Sequence, residues 1–276
     1  MRKTLFVAMQ YLLPKHLITA LVFRLARIRH TSTKNWLISR FVKAFDVDLG
    51  DVARTVPDDF VDFNDFFTRE LAEGARPIDN DPKHLVSPVD GKVSQLGAIS
   101  NGTIIQAKGF DYTVEELLAV DLDTANAFTS FATIYLAPFN YHRVHMPVDG
   151  RLTAAHYVPG DLFSVNETTA ERVPRLFARN ERLNLHFETS DGLFFVSMVG
   201  ALNVGSITTP WTGEIRPRTG SLVETITLEP RDVMKGDLLG WFNMGSTVII
   251  LGRDLDWASA AGSNVRMGEK LATLST

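Results

Sequence analysis

The chain has 276 residues, 45% of them hydrophobic and 22% charged, which is the balance of a globular protein with a substantial core. It contains no cysteine, so disulfides, thiol catalysis and zinc–thiolate sites are excluded. The net charge of −4 is unevenly distributed, because residues 1–45 hold nine of the 28 Lys and Arg and none of the 32 Asp and Glu. A basic segment on an acidic body indicates attraction to an anionic partner.

Residues 1–45 are predicted to form basic amphipathic helices. The longest apolar run, Leu17–Phe23, has seven residues, against the roughly 20 that a membrane-spanning helix needs. The start of the chain also lacks the sustained apolar region and the small-residue cleavage site of a signal peptide. Around residues 14–30, a helix that turns by about 100° per residue gathers six apolar side chains opposite His16, Arg24 and Arg27. This stripe consists of Leu17, Ile18, Leu21, Val22, Leu25 and Ile28.

The pattern continues in a second predicted helix, whose apolar positions are Trp36, Leu37, Phe41 and Phe45. Basic side chains beside a Leu, Ile and Phe face favour a helix that lies in the lipid headgroup region. A helix packed on the protein's own core is the alternative. Nucleic acid is not an expected partner, because the segment is rich in large apolar residues and the acidic body would repel phosphate.

Residues 46–276 are predicted to form one β-rich catalytic domain. The expected fold class is therefore α+β, with a mostly antiparallel β core and N-terminal amphipathic helices. An acidic linker at residues 46–59 leads to a short helix within residues 62–71, with Asp62 or Asn64 as its cap.

Further along the domain, the pattern changes to short strands. Thr113 and Glu116 form a capping box that opens one more short helix, which ends near Val120. Runs rich in β-branched residues, separated by Asp-Gly and Asn-Gly turns, predict strands. The predicted strands cover residues 131–137, 151–158, 183–189, 193–201, 221–228 and 247–251.

Gly245 and Ser246 precede an apolar, β-branched run at residues 247–251. Glycine leaves its carbonyl carbon unshielded and tolerates strained backbone geometry. The serine hydroxyl can attack that carbonyl and convert the amide to an ester, and loss of the serine α-proton then expels the upstream chain. The resulting dehydroalanine hydrolyses to a pyruvoyl group, a cofactor made from the chain itself. A plain turn that enters a buried strand is the alternative interpretation.

A second unusual stretch, FNYHRVHMP at residues 139–147, carries His142 and His145. In an extended chain the two histidines point to opposite sides, whereas a helical turn places them on one face. The pattern fits a zinc pair, two separate acid and base roles, or an ordinary loop. Asp90, in SPVDGKV, is either a turn residue or the third member of a triad with His145 and Ser246.

Six sequence blocks occur here in the order found in bacterial phosphatidylserine decarboxylase proenzymes, and the chain resembles that family from about Phe63 to Ile250. The blocks are SPVDGKV, KGFDYTVEELL, YHRVHMP, FARNER, VGALNVGSI and KGDLLGWFNMGSTVI, and FFTRELAEGARPID upstream is similar as well. One departure is Met244, where the family usually has Leu. This change conserves side-chain volume and does not touch the bond chemistry.

The resemblance implies self-cleavage between Gly245 and Ser246. The β chain would comprise residues 1–245, and the α chain residues 246–276 with a covalent pyruvoyl group, derived from Ser246, at its start and no metal. The two chains of one proenzyme remain partners, and the family resemblance also implies a homodimer.

The resemblance also implies roles for four side chains. Asp90, His145 and Ser246 match the family's self-cleavage triad, and His142 matches the histidine assigned to substrate handling and decarboxylation. The pyruvoyl ketone would form a Schiff base with phosphatidylserine and stabilise the carbanion left by loss of CO2. Protonation and hydrolysis would release phosphatidylethanolamine.

The acyl chains of such a substrate stay in the bilayer. We therefore expect a peripheral protein on the cytoplasmic face of the bacterial inner membrane, held on an anionic surface through residues 1–45.

Two alternatives use the same residues differently. One is a membrane-surface zinc hydrolase on His142, His145 and Asp90, and the other is a non-enzymatic lipid-binding β module.

Overall fold

The computed structural model describes residues 2–107, 109–203 and 205–275. Its helices are α1 (Arg2–Leu12), α2 (Lys15–Ala26), α3 (Thr31–Phe45), α4 (Phe63–Phe67), α5 (Val114–Leu118), α6 (Leu122–Ala125), α7 (Glu167–Ala170) and α8 (Leu176–Arg179). Its strands are β1 (His84–Val86), β2 (Gly91–Ala98), β3 (Thr103–Ala107), β4 (Phe110–Thr113), β5 (Ser130–Leu136), β6 (Arg143–His145), β7 (Gly150–Val158), β8 (Arg182–Thr189), β9 (Gly192–Val199), β10 (Ile207–Thr209), β11 (Gly213–Ile215), β12 (Glu224–Ile226), β13 (Arg231–Val233), β14 (Leu238–Phe242), β15 (Ser246–Gly252), β16 (Leu255–Trp257), β17 (Asn264–Val265) and β18 (Lys270–Leu274).

The largest sheet has nine strands and forms the main core. Its order is β12-β7-β8-β9-β15-β5-β2-β17, and β13 also pairs with β7. Neighbouring strands in this sheet are antiparallel. β15 lies in the interior of the sheet and is buried along its whole length, because its apolar run faces packed layers on both sides. The predicted α+β class with a mostly antiparallel core is confirmed.

A smaller sheet, ordered β11-β10-β14-β6, leads into β15. β14 pairs with β6, so that Trp241 lies opposite Arg143 and Leu238 opposite His145. The histidine stretch therefore runs beside the strand that ends just before Gly245. Two further sheets complete the architecture, β1-β18-β16 and the hairpin β3-β4.

The N-terminal helices present an apolar outer surface. α2 buries Lys15 and Ala26, whereas Leu17, Leu21 and Leu25 are 60%, 50% and 55% exposed. Further exposed apolar side chains on α1 and α3 are Leu5, Phe6, Met9, Leu12 and Trp36. The two predicted helices are confirmed as α2 and α3, while α1 was not predicted. The leucines of the predicted stripe point away from the protein core.

No single helix in the described parts of the chain has both the length and the apolar character needed to span a bilayer. The length and apolar character needed for a span are reached only when two helical segments are taken together, Lys3–Leu12 and Lys15–Ala26. These two segments are bent by 92° at the break between them. The break coincides with Pro14, which supplies no backbone donor and ends the preceding helical turn.

A cluster of aromatic side chains joins α3 and α4 to the start of β15. Its buried members from the region of α4 are Phe60, Phe63, Phe66 and Phe67. Phe41 of α3 packs against Phe63 with ring centroids 5.1 Å apart. The Met244 side chain packs on the same cluster. Burial of each large side chain contributes about 1.5–3 kcal/mol, so the helical segment is held firmly against the connection between β14 and β15.

The local elements of the body follow the sequence closely. The capping box is present, because the Thr113 hydroxyl accepts from the Glu116 amide at 3.1 Å and the Glu116 carboxylate accepts from the Thr113 amide at 3.3 Å. Asp62 caps α4 by accepting from the Asp65 amide. The predicted strands correspond to β5, β7, β8, β9, β12 and β15, although β12 covers only Glu224–Ile226. Strands β6 and β14, which flank the Gly245–Ser246 bond, were not predicted, and neither were the short strands β10, β11, β13, β16, β17 and β18.

Candidate active site

The Gly245–Ser246 bond lies where the chain passes from β14 into β15. β14 ends at Phe242 and β15 begins at Ser246. Within the connection, Met244 has a φ of 97°. Residues with a Cβ rarely adopt such an angle, and holding one there costs about 1–3 kcal/mol. The strained residue therefore immediately precedes the glycine whose carbonyl the serine would attack.

Ser246 is buried, and its hydroxyl has no hydrogen-bond partner among the described residues. It pairs with Leu136 of β5, whereas the pairing with β9 begins one residue later, at Thr247. A buried hydroxyl without a partner costs about 1–3 kcal/mol, and such a group calls for a functional explanation. Gly245 and Ser246 line a cavity of about 220 Å³.

His142 is the histidine that borders this bond. Its Nε2 lies 3.9 Å from the point that a Cβ on Gly245 would occupy. Its Nδ1 lies 2.8 Å from the carbonyl oxygen of Asn140, so Nδ1 carries the proton and donates it. Nε2 is buried without a described partner. Burial lowers the pKa of His142 to about 3, which leaves a neutral imidazole with a free lone pair beside the bond.

Two neighbours reinforce the neutral state of His142. The Phe67 ring packs on the imidazole with centroids 4.1 Å apart and excludes water from that side. Arg69 donates through Nη2 to the carbonyls of Phe139 and Asn140, and its positive charge adds to burial in lowering the pKa of His142. The Nε and Nη1 atoms of Arg69 are buried and have no described partner.

His145 lies on the other side of the short strand β6, as an extended chain requires for two positions three residues apart. Its Nδ1 donates to the Gly236 carbonyl at 2.8 Å. Its Nε2 lies 3.0 Å from the Tyr141 hydroxyl. Burial raises the pKa of Tyr141 to about 12, so the phenol keeps its proton and donates it to Nε2. Burial also lowers the pKa of His145, and the imidazole is a neutral acceptor whose lone pair is engaged.

Asp90 is buried and is held by Arg76. The Nε atom of Arg76 donates to Oδ1 at 2.9 Å and Nη2 donates to Oδ2 at 2.6 Å. The Met267 amide adds a third donor at 2.9 Å. Among the residues described by the structure, no hydrogen bond joins Asp90 to His145 or either of them to Ser246. The backbone does bring the two segments together, because the His145 amide donates to the Pro88 carbonyl.

The predicted site residues thus fall into two adjacent groups. His142, Gly245 and Ser246 meet at the bond, while Asp90 and His145 occupy a neighbouring polar cluster. The assigned catalytic roles stay predictions. A zinc site on the two histidines and Asp90 has no geometric support, since no group of three potential ligands suited to a metal ion occurs in residues 2–107, 109–203 and 205–275.

Sequence reasoning missed several side chains that shape the site. Tyr141 and Arg76 determine what His145 and Asp90 contact, and both lie within blocks that carry the family resemblance. Phe67 and Arg69 come from the start of FFTRELAEGARPID, the block that also contains Arg76. Their proximity to His142 depends on the packing of α4, which has no local sequence signal.

The sequence profile of the phosphatidylserine decarboxylase family matches residues 63–273. This chain belongs to that family. A second profile, described as PSD, matches residues 5–46, which contain most of the three N-terminal helices.

Curated members of the family align with nearly the whole chain. A phosphatidylserine decarboxylase proenzyme from Francisella philomiragia is 46% identical over 255 residues, covering 91% of this chain and 90% of the relative. One from Saccharophagus degradans is 43% identical over 284 residues, covering 100% and 99%. One from Francisella tularensis subsp. holarctica is 47% identical over 255 residues, covering 91% and 89%. The family resemblance inferred from the six blocks is confirmed, and with it membership of an enzyme family.

Proposed function

We propose that this chain is a proenzyme that cuts itself between Gly245 and Ser246 and then decarboxylates phosphatidylserine to phosphatidylethanolamine and CO2. Membership of the phosphatidylserine decarboxylase family supports the substrate and the reaction. The observation that carries the self-cleavage is the buried, unpartnered hydroxyl of Ser246 at the end of a strained connection. The unpartnered Nε2 of His142 lies beside the same bond, where it is available for the later decarboxylation.

The proposed cleavage consumes one water molecule and releases the Ser246 nitrogen as ammonia, while the Ser246 hydroxyl oxygen passes to the Gly245 carboxylate. The Ser246 hydroxyl attacks the Gly245 carbonyl carbon, and the amide nitrogen leaves as the free amine, so that an ester replaces the peptide bond. Removal of the Ser246 α-proton then expels the Gly245 carboxylate and leaves a dehydroalanine. Water hydrolyses its imine tautomer, releasing ammonia and leaving the ketone of a pyruvoyl group. Strain at Met244 assists, because breaking the bond relieves it.

The residues present fit that group. Ser246, whose hydroxyl is unpartnered, lines a cavity of about 220 Å³ together with Ser164 and Asn166. Once formed, a pyruvoyl group supplies an electrophilic ketone that condenses with an amine and withdraws the electrons released by loss of CO2. His142 borders this position, and its neutral imidazole moves a proton at Nε2 while Phe67 excludes water.

The two histidines serve different steps in this proposal. Ser246 needs a base before cleavage, and the resemblance assigns that role to His145 with Asp90 behind it. For this, Tyr141 must release Nε2 of His145, and Asp90 must exchange part of its contact with Arg76. His142 is assigned to decarboxylation, since its free Nε2 lies 3.9 Å from the position of a Cβ on Gly245, next to the residue that becomes the reactive end of the α chain.

Membrane association is also proposed. The exposed leucines of α2 and the absence of acidic residues in residues 1–45 support a helix lying on an anionic bilayer surface. We place the protein on the cytoplasmic face of the bacterial inner membrane, where its substrate keeps its acyl chains in the leaflet. A homodimer stays a prediction from family resemblance, and light scattering with size-exclusion chromatography would test it.

Intact mass spectrometry together with a decarboxylation assay tests the proposal. The purified protein should contain two chains, the smaller starting at position 246 with a blocked N-terminus, and should release CO2 from phosphatidylserine vesicles. Ser246→Ala should remain one chain and be inactive, because alanine has no hydroxyl. A wild-type protein that stays intact yet decarboxylates its substrate would refute the pyruvoyl mechanism.

The separate roles of the histidines are tested by measuring cleavage and product release in the same preparations. His142→Ala should cleave substantially but turn over more slowly, by about 10²–10⁴-fold as for loss of a general acid. His145→Ala should accumulate the intact chain. If His142→Ala fails to cleave and His145→Ala cleaves normally, the two roles are reversed.

A further inference from the structure

A cleft of about 220 Å³ separates α2 from the loops around residues 205 and 216. Two arginines, Arg24 and Arg216, line it together with the imidazole of His16, and none of the described lining residues is acidic. No carboxylate lies within ion-pair distance of Arg24 among the described residues. Glu214, outside the lining, is shared by Arg27, Arg216 and the Ser206 hydroxyl. The cleft therefore has an excess of positive charge.

The cleft borders the exposed apolar face of α2. On a helix that turns by about 100° per residue, Arg24 lies at the edge of the stripe of exposed leucines, toward the side that carries His16. The expectation that Arg24 lies opposite the stripe is therefore wrong. Leu17 and Leu21 are at least half exposed and lie one to two turns before Arg24. A helix in this orientation buries its leucines about 5–10 Å into the boundary between headgroups and acyl chains. Arg24 then lies at the depth of the phosphates.

The walls of the cleft are fixed by close packing. A Cβ on Gly205 would lie 2.7 Å from Cδ2 of Phe23, so only glycine lets the loop approach α2 this closely. The Asn203 amide donates to the Thr19 hydroxyl at 3.3 Å. The Phe23 ring contacts the guanidinium of Arg216, whose Cζ lies 4.5 Å from the ring centroid. A preformed cationic cleft binds an anion with little loss of side-chain entropy.

The same loop is bonded to the strand connection that ends at the cleavage site. The Gly205 amide donates to the Asn243 carbonyl, and the Asn243 amide donates to the Ser206 carbonyl, both at 2.9 Å. Asn243 stands three residues before Ser246. An anion held between α2 and this loop would therefore fix the active site relative to the bilayer surface.

We propose that the cleft binds the phosphodiester of an anionic phospholipid, with Arg24 and Arg216 as its ligands and the leucines of α2 in the acyl region beside it. Arginine suits this task because its planar guanidinium donates two parallel hydrogen bonds to phosphate oxygens. The adjoining apolar stripe favours a lipid headgroup over free phosphate, because only a lipid has acyl chains that the exposed leucines can contact. The inference rests on the proposed membrane association and specifies the lipid that the association selects.

The test uses the intact Ser246→Ala chain, so that binding is measured without cleavage or decarboxylation. Sedimentation with phosphatidylcholine vesicles containing increasing phosphatidylglycerol is compared for two double variants. Arg24→Gln with Arg216→Gln removes the cleft ligands, and Arg29→Gln with Lys43→Gln removes two exposed charges that have no described ion pair. Both variants lose the same charge, so diffuse attraction predicts equal weakening. A built site predicts about tenfold greater loss for the cleft variant, as for lost charge-assisted hydrogen bonds.

Two further measurements test whether the cleft recognises a lipid phosphodiester. Arg24→Lys with Arg216→Lys retains the charge and should restore binding only in part, because lysine lacks the two-pronged donor geometry. Inorganic phosphate at constant ionic strength should not displace the protein from vesicles. Equal losses for the two Gln variants, full recovery with lysine, or displacement by phosphate would each overturn the proposal. If the wild-type chain cleaves itself and decarboxylates its substrate normally while the Ser246→Ala chain gives such a result, the proposed function stands and only the lipid cleft is refuted.

Discussion

His142 should make the intact chain sensitive to mild acid, and this sensitivity reports whether its imidazole is neutral. The perturbation is His142→Gln in the uncleaved Ser246→Ala background. An unfolded histidine takes up a proton as the pH falls below about 6.5, whereas burial holds the pKa of folded His142 at about 3. The unfolded state therefore binds more protons in this window, and the free energy of unfolding falls as the pH falls through it.

The size of the effect follows from the shift. Each pKa unit corresponds to about 1.4 kcal/mol, so lowering the pH from about 7.5 to about 5 should remove roughly 2 kcal/mol of stability through His142 alone. His142 is fully buried, so solvent screening does not reduce this figure appreciably. Other groups that titrate in the window contribute equally to both proteins and cancel in the comparison.

Urea denaturation near pH 7.5 and near pH 5 measures the effect. His142→Gln should lose about 2 kcal/mol less than its parent between the two conditions, whatever its absolute stability. His186→Gln is a matched control away from the bond, since burial also lowers the pKa of His186 to about 3, and it should flatten the pH dependence similarly. If His142→Gln and its parent lose equal stability, His142 is not the buried neutral acceptor described above.

His145→Ala and Asp90→Ala should each accumulate uncleaved chain on a denaturing gel, because each removes part of the predicted base; normal cleavage in both would contradict the triad. Leu21→Glu should weaken vesicle sedimentation, because it places a charge in the exposed apolar face, and should leave the cleaved fraction unchanged. Gly205→Ala should lower the free energy of unfolding by about 1–3 kcal/mol, since the new Cβ would meet Phe23 at 2.7 Å. An unchanged urea midpoint would show that the loop can move aside.

Local sequence patterns determined much of the architecture. The apolar runs that became β5, β9 and β15 were recognisable because burial on both faces favours apolar side chains at successive positions. β8 was recognisable because Leu183, Leu185 and Phe187 alternate with polar residues. The Thr113 capping box and the Asp62 cap were readable because helix starts use side-chain acceptors only a few residues away. The apolar stripe of α2 was visible for the same reason, since its period is set within one helix.

The direction of that stripe was decided by tertiary structure. A stripe of leucines is equally consistent with a core helix and with a lipid-facing helix. Lys15 forms an ion pair with Asp161 and donates to the Gln10 carbonyl. Because these contacts hold Lys15 against the body, the side of α2 that faces the protein is the one with polar and small residues. The leucines are consequently left on the outer face.

The site itself also depended on long-range contacts. The pattern of residues 139–147 left open whether His142 and His145 share a face, and β6 separates them because it is extended. His142 reaches Gly245 across about 100 positions of sequence through the pairing of β6 with β14. The sequence alone determined the residue types and their local periods, because neighbouring residues encode them. Which side chains meet at the bond, and the strain at Met244, were decided by strand pairing and aromatic packing between distant segments.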